Sequence, residues 1–281
     1  MRFDWYEPTL LDVRPAVALG FVRELLGHAD EEVVRPKRGY EHAMRLVRDD
    51  DTSVQVWWGG RNLHPHLVFT SDFADTATQA VRRQFPRHQV SRADVCEDMD
   101  LGPTTWDVLS NKVLRSADFH GVAVTHVGDF HRAKDGRSLY EGAASSEVRA
   151  RLYEKGKEVQ GRVAEEYRGI LRRSGWTDTL CRLEFQIRPA RKEGKLKLAS
   201  LGASECVGFS SWARHLWEEI SSEDVLKVDS IPWKPSRDDK VFYAMLHQYG
   251  KILRRLHDQL GGWDCVGLQI GEALGSVEIR D

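Results

Sequence analysis

Cysteine is scarce in this sequence, and the few cysteines lie far apart. Cys96, Cys181, Cys206 and Cys265 form no CxxC pair. Zinc knuckles, thioredoxin-type redox motifs and disulfide scaffolds all need closely or regularly spaced cysteines, so the spacing argues against these three classes. We therefore expect a reduced, cytoplasmic protein.

Long apolar runs and an excess of one charge are also missing. No stretch approaches the roughly 18 apolar residues of a membrane span, and the first ten residues lack the apolar segment of a signal peptide. Lys and Arg number 41 against 43 Asp and Glu, a formal charge of −2. This balance excludes a wholly basic nucleic-acid coat but permits a local basic patch. We expect no membrane partner.

The order of predicted elements indicates an α+β protein. Strand-like and helix-like stretches alternate up to about residue 190, and the pattern then becomes largely helical. Hairpins among the strands predict an antiparallel sheet covered by helices. The polar, basic segment 191–198 is typical of a connector. We therefore predict one domain over residues 1–190 and a helical C-terminal region over residues 199–281.

Three predicted strands each carry one apolar and one charged face when they are read at a period of two residues. If they share a sheet, their charged faces gather on one surface. The side chains concerned are Arg149, Arg151, Tyr153 and Lys155 in strand 147–155, Arg182, Glu184, Gln186 and Arg188 in strand 179–188, and Arg92, Asp94, Cys96 and Asp98 in strand 90–98.

Two interpretations of this surface are open. The solvent face of an antiparallel sheet is usually polar, with ordinary Arg–Glu pairs across strands. Alternatively, guanidinium groups bind phosphate, opposed carboxylates hold Mg²⁺ or Mn²⁺, and a tyrosine hydroxyl beside both can attack phosphorus. The pattern alone does not choose between them.

Short motifs in these strands resemble the replication initiation factor family, Rep_trans-type proteins that start rolling-circle replication of plasmids and filamentous phages. The family pattern runs T/S-L-Y-x-G, a serine, then R-x-Y-[DN]-K-x-x-E, with R-x-D-x-x-x-D and R-x-E strands and, in phage members, a D-W start. The similar segments here are 138–142 (SLYEG), Ser146, 151–158 (RLYEKGKE), 92–98 (RADVCED), 182–184 (RLE) and 4–5 (DW). The likeness covers about residues 1–190 and is weaker in the helical tail.

The resemblance implies a rolling-circle replication initiator with the RRM-like antiparallel sheet of HUH endonucleases. Such an enzyme nicks and rejoins DNA at a specific site in a metal-dependent reaction. Tyr153 would attack a phosphodiester, keep a 5′-phosphotyrosyl link and free a 3′-hydroxyl. Charge on the phosphate would be neutralised by Arg151, Lys155 and Arg182. The ligands of Mg²⁺ or Mn²⁺ would be Asp94 and Glu184, with Asp98 third.

The partner implied is origin DNA, single-stranded or supercoiled. A host helicase, a polymerase and a second copy of the chain are further candidates. The gene would belong to a bacterial plasmid, phage or other mobile element. A conjugative relaxase with the same chemistry and a non-catalytic DNA-binding protein remain alternatives. Contacts with DNA are expected from basic side chains, namely Arg92, Arg149, Arg188, Arg191, Lys192, Lys195 and Lys197.

Some residues depart from the family pattern or compete with these assignments. Glu154 stands where Asp or Asn is usual, and 141–144 (EGAA) replaces a more basic turn. Tyr140 is the rival nucleophile, but its sequence neighbours lack a row of cations, which favours a packing role. Whether His64 and His66 contribute to a metal site stays open, because Pro65 is awkward inside a central strand.

The tryptophans have two possible roles, in base stacking and in the core. Trp57 and Trp58 could stack bases, although tryptophan is more often a core residue. The helical tail, with Trp212, Trp217 and Trp233, is expected mostly to pack; a part in dimerisation or origin recognition stays open.

Overall fold

Antiparallel strands form one open sheet in the computed structural model, which describes residues 1–131, 136–228 and 237–276. Within these residues the sheet has ten strands in the order β2-β3-β4-β5-β1-β6-β10-β9-β8-β7. The strands are β1 (Arg2–Leu10), β2 (Asp30–Val33), β3 (His42–Val47), β4 (Ser53–Gly59), β5 (Asn62–Thr70), β6 (His88–Met99), β7 (Val124–Gly128), β8 (Arg137–Glu141), β9 (Val148–Tyr153) and β10 (Cys181–Ile187).

Helices follow or separate these strands. Short 3₁₀ segments also occur at Gly102–Thr104 and Ser204–Phe209. The α-helices are α1 (Pro15–Leu26), α2 (Phe73–Gln84), α3 (Thr105–His120), α4 (Lys155–Gly161), α5 (Glu165–Arg173), α6 (Lys192–Leu198), α7 (Ser211–Ser221), α8 (Arg237–Leu260) and α9 (Trp263–Ser276).

One face of the sheet is buried beneath helices. Along β10 the inward residues Leu183, Phe185 and Ile187 are fully buried, and α1, α2, α3 and α7 pack over the same face. Burying each such side chain contributes about 1.5–3 kcal/mol. The prediction of an α+β fold with an antiparallel sheet covered by helices is confirmed.

Helix α1 shows how the sequence directs this covering. Pro15 occupies the first turn, where its missing N–H costs nothing. Ala18, Val22 and Leu26 recur every four residues and are the buried positions of the helix, so one stripe faces the sheet. The helix ends at Gly27, whose φ of 72° favours glycine.

The segment predicted as a connector is instead helix α6, with Gly194 and Leu198 buried. Its two turns lie against β6. By contact density the chain divides into Met1–Trp233 and Lys234–Asp281, so the predicted boundary at 190–199 falls inside the first unit. The segment is only two helical turns long and has few apolar residues, so its hydrophobic periodicity is too weak to predict a helix.

The predicted helical tail therefore falls into two parts. In the first unit Trp217 of α7 is buried and Trp212 packs partly against the core, which agrees with a packing role; Trp233 lies outside the described residues. The second unit contains α8 and α9. Within the described ranges, no helix combines the length and apolar character needed to cross a membrane.

A buried carboxyl group lies on the helix-covered face. Glu141 of β8 has 0% exposure, and the Ser116 hydroxyl of α3 donates a 3.0 Å hydrogen bond to its Oε1. Its Oε2 has no partner among the described residues. Burial raises the pKa of Glu141 to about 8, against a smaller lowering by Ser116. At neutral pH this side chain therefore holds its proton.

We predict that Glu141 makes the fold less stable as pH rises. Between the ordinary pKa of 4.5 and about 8, the unfolded chain loses a proton that the folded chain keeps, so the free energy of unfolding falls with pH. The variant Glu141→Gln removes this term. Urea unfolding at pH 5 and pH 8 should show a larger loss for wild type than for the variant, by about 1 kcal/mol or more. Equal losses would contradict the assignment.

Candidate active site on the open face of the sheet

The predicted convergence of the three charged strands is observed. β9, β10 and β6 are neighbours, and their outward side chains line up across the strands; we call this surface the charged face. It has three rows: Ser138, Tyr153, Arg182 and Asp98; then Tyr140, Arg151, Glu184 and Cys96; then Arg149, Gln186 and Asp94.

Tyr153 lies on the charged face and is covered by cationic side chains. Its exposed fraction is 4%. The Arg151 guanidinium lies 3.9 Å from the centroid of its ring, and the Lys155 ammonium 5.5 Å. Burial raises the pKa of Tyr153 above its ordinary value, the Glu184 charge adds to this, and Arg182 opposes it. The phenol is therefore protonated at neutral pH.

Arg182 is the buried centre of an ion cluster in the first row. It is 3% exposed. Its Nε and Nη2 donate to the two oxygens of Asp98 at 2.6 and 2.8 Å, and its Nη1 donates to Asp4 at 2.9 Å. Arg2 adds a 2.8 Å hydrogen bond to Asp98. Both oxygens of Asp98 are thus already bound by arginines.

Asp94, which is buried, and Glu184, which is half-buried, are neighbouring acids in adjacent rows. Burial raises the pKa of Glu184 to about 7, and repulsion by Asp94 and Asp4 adds to the effect. Burial also raises the pKa of Asp94, although Arg92 opposes it. Arg92 holds Asp94 through two hydrogen bonds, the one from Nε being 2.9 Å long. Two carboxylates that repel each other favour a proton or a cation between them.

The acids of the charged face differ in whether they could bind a divalent cation. Among the described residues, no group of three or more His, Cys, Asp or Glu side chains is arranged to hold a metal. Magnesium commonly uses one or two carboxylates, with water and substrate phosphate completing its shell. Glu184 fits that smaller set. Arginines bind both oxygens of Asp98, and Arg92 binds both oxygens of Asp94, so either aspartate would have to exchange an arginine for the cation.

The strand register places Glu184 and Asp94 at different distances from Tyr153. Glu184 is a diagonal neighbour of Tyr153 on the adjacent strand, a Cα separation of roughly 7–8 Å. Asp94 lies two strands across and two rows along, which corresponds to about 16 Å. The expectation that both acids lie beside the tyrosine therefore holds for Glu184 and not for Asp94.

Tyr140 has the cationic surroundings that its sequence neighbours did not suggest. It is half-buried opposite Arg151. The Arg149 guanidinium lies 4.0 Å from its ring centroid and that of Arg151 lies 5.5 Å away. The argument that Tyr140 lacks flanking cations was wrong, because the cations come from the neighbouring strand β9.

The arginines of the charged face fall into two kinds. Arg92 and Arg182 are bound by carboxylates. Arg149 and Arg151 instead lie on the tyrosine rings, and the buried Nε atom of each has no hydrogen-bond partner among the described residues. Both side chains are half-buried, and neither forms an ion pair with a carboxylate among the described residues, so an incoming anion could bind their guanidinium groups.

A second polar cluster on the open side, which sequence reasoning missed, centres on Glu7 of β1. Glu7 is 2% exposed and forms an ion pair with Arg38. The Nε1 of Trp5 donates to it at 2.8 Å, and His66 Nε2 lies 3.7 Å away. Although burial opposes it, His66 and Arg38 lower the pKa of Glu7 to about 2. The alternation of β1 could have revealed Glu7; its partners come from distant segments.

The two histidines considered as a metal pair have different partners. His64 Nδ1 accepts a 3.2 Å hydrogen bond from the backbone N–H of Asp12. His66 Nδ1 shares a 2.9 Å hydrogen bond with the Thr9 hydroxyl. Nothing in these contacts joins the imidazoles in one site.

The tryptophans considered for base stacking are largely covered. Trp57 is 4% exposed, so its ring is not available to a base. Trp58 is partly buried and packs against the core.

The expected DNA-contacting cations are distributed over two surfaces. Arg188 reaches the charged face, where burial and the neighbouring Arg92 lower its pKa. Arg191 precedes α6, and two lysines of that helix have different surroundings. Burial lowers the pKa of His66 and the charge of Lys195 adds to this effect, whereas Lys192 lines a cavity beside the helix. Lys197 is exposed.

Comparisons with known proteins give a similarity at the level of the fold. No protein-family model matches it, and no curated protein matches it. Among solved structures, the fold is similar to that of a rolling circle replication initiator protein from Geobacillus stearothermophilus. The TM-score is 0.48 and the identity 19%, over 73% of this chain and 82% of that one. Similarity at this level does not assign an activity to this chain.

We predict that Arg182 is essential to the stability of the charged face. Replacing it with alanine leaves Asp98 and Asp4 without their buried partner, and urea unfolding should show a loss of about 3–5 kcal/mol. The control is Arg162→Ala, which removes a 2.7 Å ion pair of a residue 69% exposed. That variant should change stability by less than about 0.5 kcal/mol. Similar losses in both would contradict the role of Arg182.

Proposed function

We propose that this protein is a DNA nicking and rejoining enzyme of the rolling-circle initiator type, acting through Tyr153 on the charged face. The observation that carries the proposal is the pair of half-buried arginines on this face that form no ion pair. Arg149 and Arg151 lie on tyrosine rings and lack a carboxylate partner among the described residues. A phosphodiester is the anion that suits them, since guanidinium binds phosphate oxygens bidentately.

Sequence motifs support the choice of DNA and of Tyr153. The segment 151–158 (RLYEKGKE) resembles the nucleophile motif of replication initiation factors. Arg151 and Lys155 of that motif both lie on the Tyr153 ring. The same side chains exclude water from the phenol, so DNA would have to move them aside to reach it.

The proposed reaction conserves atoms and charge. The phenol gives up its proton as its Oη forms a bond to phosphorus, and the bond from phosphorus to the 3′-oxygen breaks. The leaving 3′-oxygen takes up a proton and becomes a hydroxyl, while the 5′-phosphate stays on Tyr153. Reversal with a new 3′-hydroxyl rejoins the strand. Arg151 and Arg182 would stabilise both the phenolate and the transition-state charge.

Glu184 is the residue that we propose to hold a divalent cation, with Asp94 as a second ligand once Arg92 releases it to bind phosphate. A bound Mg²⁺ or Mn²⁺ would polarise the scissile phosphate. Asp98 is left out of this ligand set because two arginines bind it, one of them the buried Arg182. Its role in the proposal is to position Arg182 opposite Tyr153.

The identity of the nucleophile is tested with two matched variants. Tyr153→Phe and Tyr140→Phe each remove one hydroxyl from neighbouring rows of the charged face. With labelled single-stranded or supercoiled origin DNA and Mn²⁺, we expect wild type and Tyr140→Phe to form a covalent adduct and Tyr153→Phe to form none. Gel electrophoresis in denaturant measures the adduct.

The other outcomes of that assay are equally informative. Loss of the adduct in Tyr140→Phe alone would move the nucleophile to the more exposed tyrosine of β8. Absence of an adduct in all three proteins, with salt-sensitive DNA binding retained, would favour a non-catalytic DNA-binding protein. The burial of Tyr153 makes that second function the one to exclude.

Glu184 is predicted to separate cleavage from binding. Glu184→Gln keeps the shape of the side chain but removes a cation ligand, so Mn²⁺-dependent nicking should fall at least about 100-fold. DNA affinity at moderate salt should change by less than about threefold, because phosphate contacts come from the arginines. The variant Arg149→Gln should do the opposite and weaken DNA binding, because it removes a phosphate contact. Equal loss of binding and cleavage in Glu184→Gln would indicate a structural ion pair instead.

A further inference from the structure

A cavity of about 540 Å³ lies away from the charged face, between the start of β6 and helix α6. Its volume is within the range of small-molecule sites, roughly 300–1,000 Å³. Its lining includes both apolar and basic side chains. The lining residues are Leu11, Arg82, Pro86, Arg87, His88, Lys192, Leu196, Ala199 and Ser200.

The charge of this cavity is one-sided. Three cationic side chains line it, Arg82, Arg87 and Lys192, and no Asp or Glu is among the lining residues. Asp12 reaches Arg87 at 3.2 Å, but both side chains are mostly exposed, at 66% and 78%. Such a pair is weak, so an anion could replace Asp12 at little cost.

Arg82 is fixed in place and incompletely paired. Its Nη2 donates to the carbonyl oxygen of Leu201 at 2.5 Å, and its guanidinium lies over the rings of Phe3 and Tyr6 at 5.3 and 5.8 Å. Its buried Nε has no hydrogen-bond partner among the described residues. The guanidinium is thus pre-organised, and its orientation would not have to be acquired on binding.

His88 completes the polar wall without adding charge. Its Nε2 shares a 2.7 Å hydrogen bond with the Tyr6 hydroxyl, and its Nδ1 with the carbonyl oxygen of Phe85. Burial lowers the pKa of His88, and the neighbouring Arg82 adds to this although Phe85 opposes it. The positive charge of the cavity therefore comes from the two arginines and Lys192.

We propose that this cavity binds a phosphate-bearing anion. Three cations match the oxygens of a phosphate or diphosphate group, and the apolar residues of the lining suit the organic part of a small phosphorylated molecule. Lys192 of helix α6 lines this cavity, and none of the lining residues belongs to the three rows of the charged face. A nucleotide in solution and a backbone phosphate of DNA offer the same chemistry.

Calorimetry on the full chain tests the proposal, with inorganic phosphate, pyrophosphate, ATP and a short single-stranded oligonucleotide as probes. Lys192→Gln and Arg87→Gln each remove one charge from an exposed position of the wall. Arg83→Gln is the matched control, because Arg83 is exposed on the same stretch but does not line the cavity. We expect each wall variant to weaken binding about tenfold and the control to leave it unchanged.

The probes distinguish the source of the phosphate. Wall-dependent binding of pyrophosphate or ATP identifies a small-molecule site, and wall-dependent binding of the oligonucleotide alone identifies a backbone contact; either supports the proposal. It is overturned if none of the probes binds, or if the wall variants and Arg83→Gln weaken binding equally. Because Tyr153 is not part of the cavity, nicking by the wall variants reports separately on the proposed function.

Discussion

The antiparallel register of β6, β10 and β9 is the constraint on which the charged face depends. Pairing of Arg182 with both Tyr153 and Asp98 brings residues distant in the chain into one row. A slip of one residue would turn these groups toward the core and the apolar residues toward water. The burial of Leu183, Phe185 and Ile187 beneath the helices therefore holds the polar side in place as well.

Some charged residues on the open side of the sheet are paired with groups of opposite sign and others are not. The unpaired ones are the candidates for binding a ligand. Buried Arg182 and Glu7 are satisfied by partners of opposite sign, and they contribute to structure. The guanidinium groups of Arg149 and Arg151 lie on tyrosine rings. Glu184 is opposite Arg151, but the two form no ion pair among the described residues, and Glu184 lies close to another acid. An ordinary polar sheet face would pair these groups with one another. Here a phosphate and a cation would satisfy both sets.

Much of the fold followed from local pattern, and the exceptions have physical causes. The buried stripe of α1 follows its apolar period, and the polar faces of β6, β9 and β10 were predicted correctly at a period of two residues. Strand β2, by contrast, consists of four exposed residues at the edge of the sheet and has no apolar face to reveal it. Contacts between strands depend on register, which cannot be derived from a single sequence. Examples are the contact of Arg149 with Tyr140 and the binding of Asp98 by Arg182 and Arg2.

The central claim is that the hydroxyl of Tyr153 forms the covalent bond to DNA. Trypsin digestion of the DNA adduct followed by mass spectrometry tests it directly, since cleavage after Arg151 and Lys155 releases Tyr153 in peptide 152–155 and cleavage after Arg137 and Arg149 releases Tyr140 in peptide 138–149. A nucleotide attached to peptide 152–155 is the predicted result. A nucleotide on peptide 138–149, or on neither, would contradict the account.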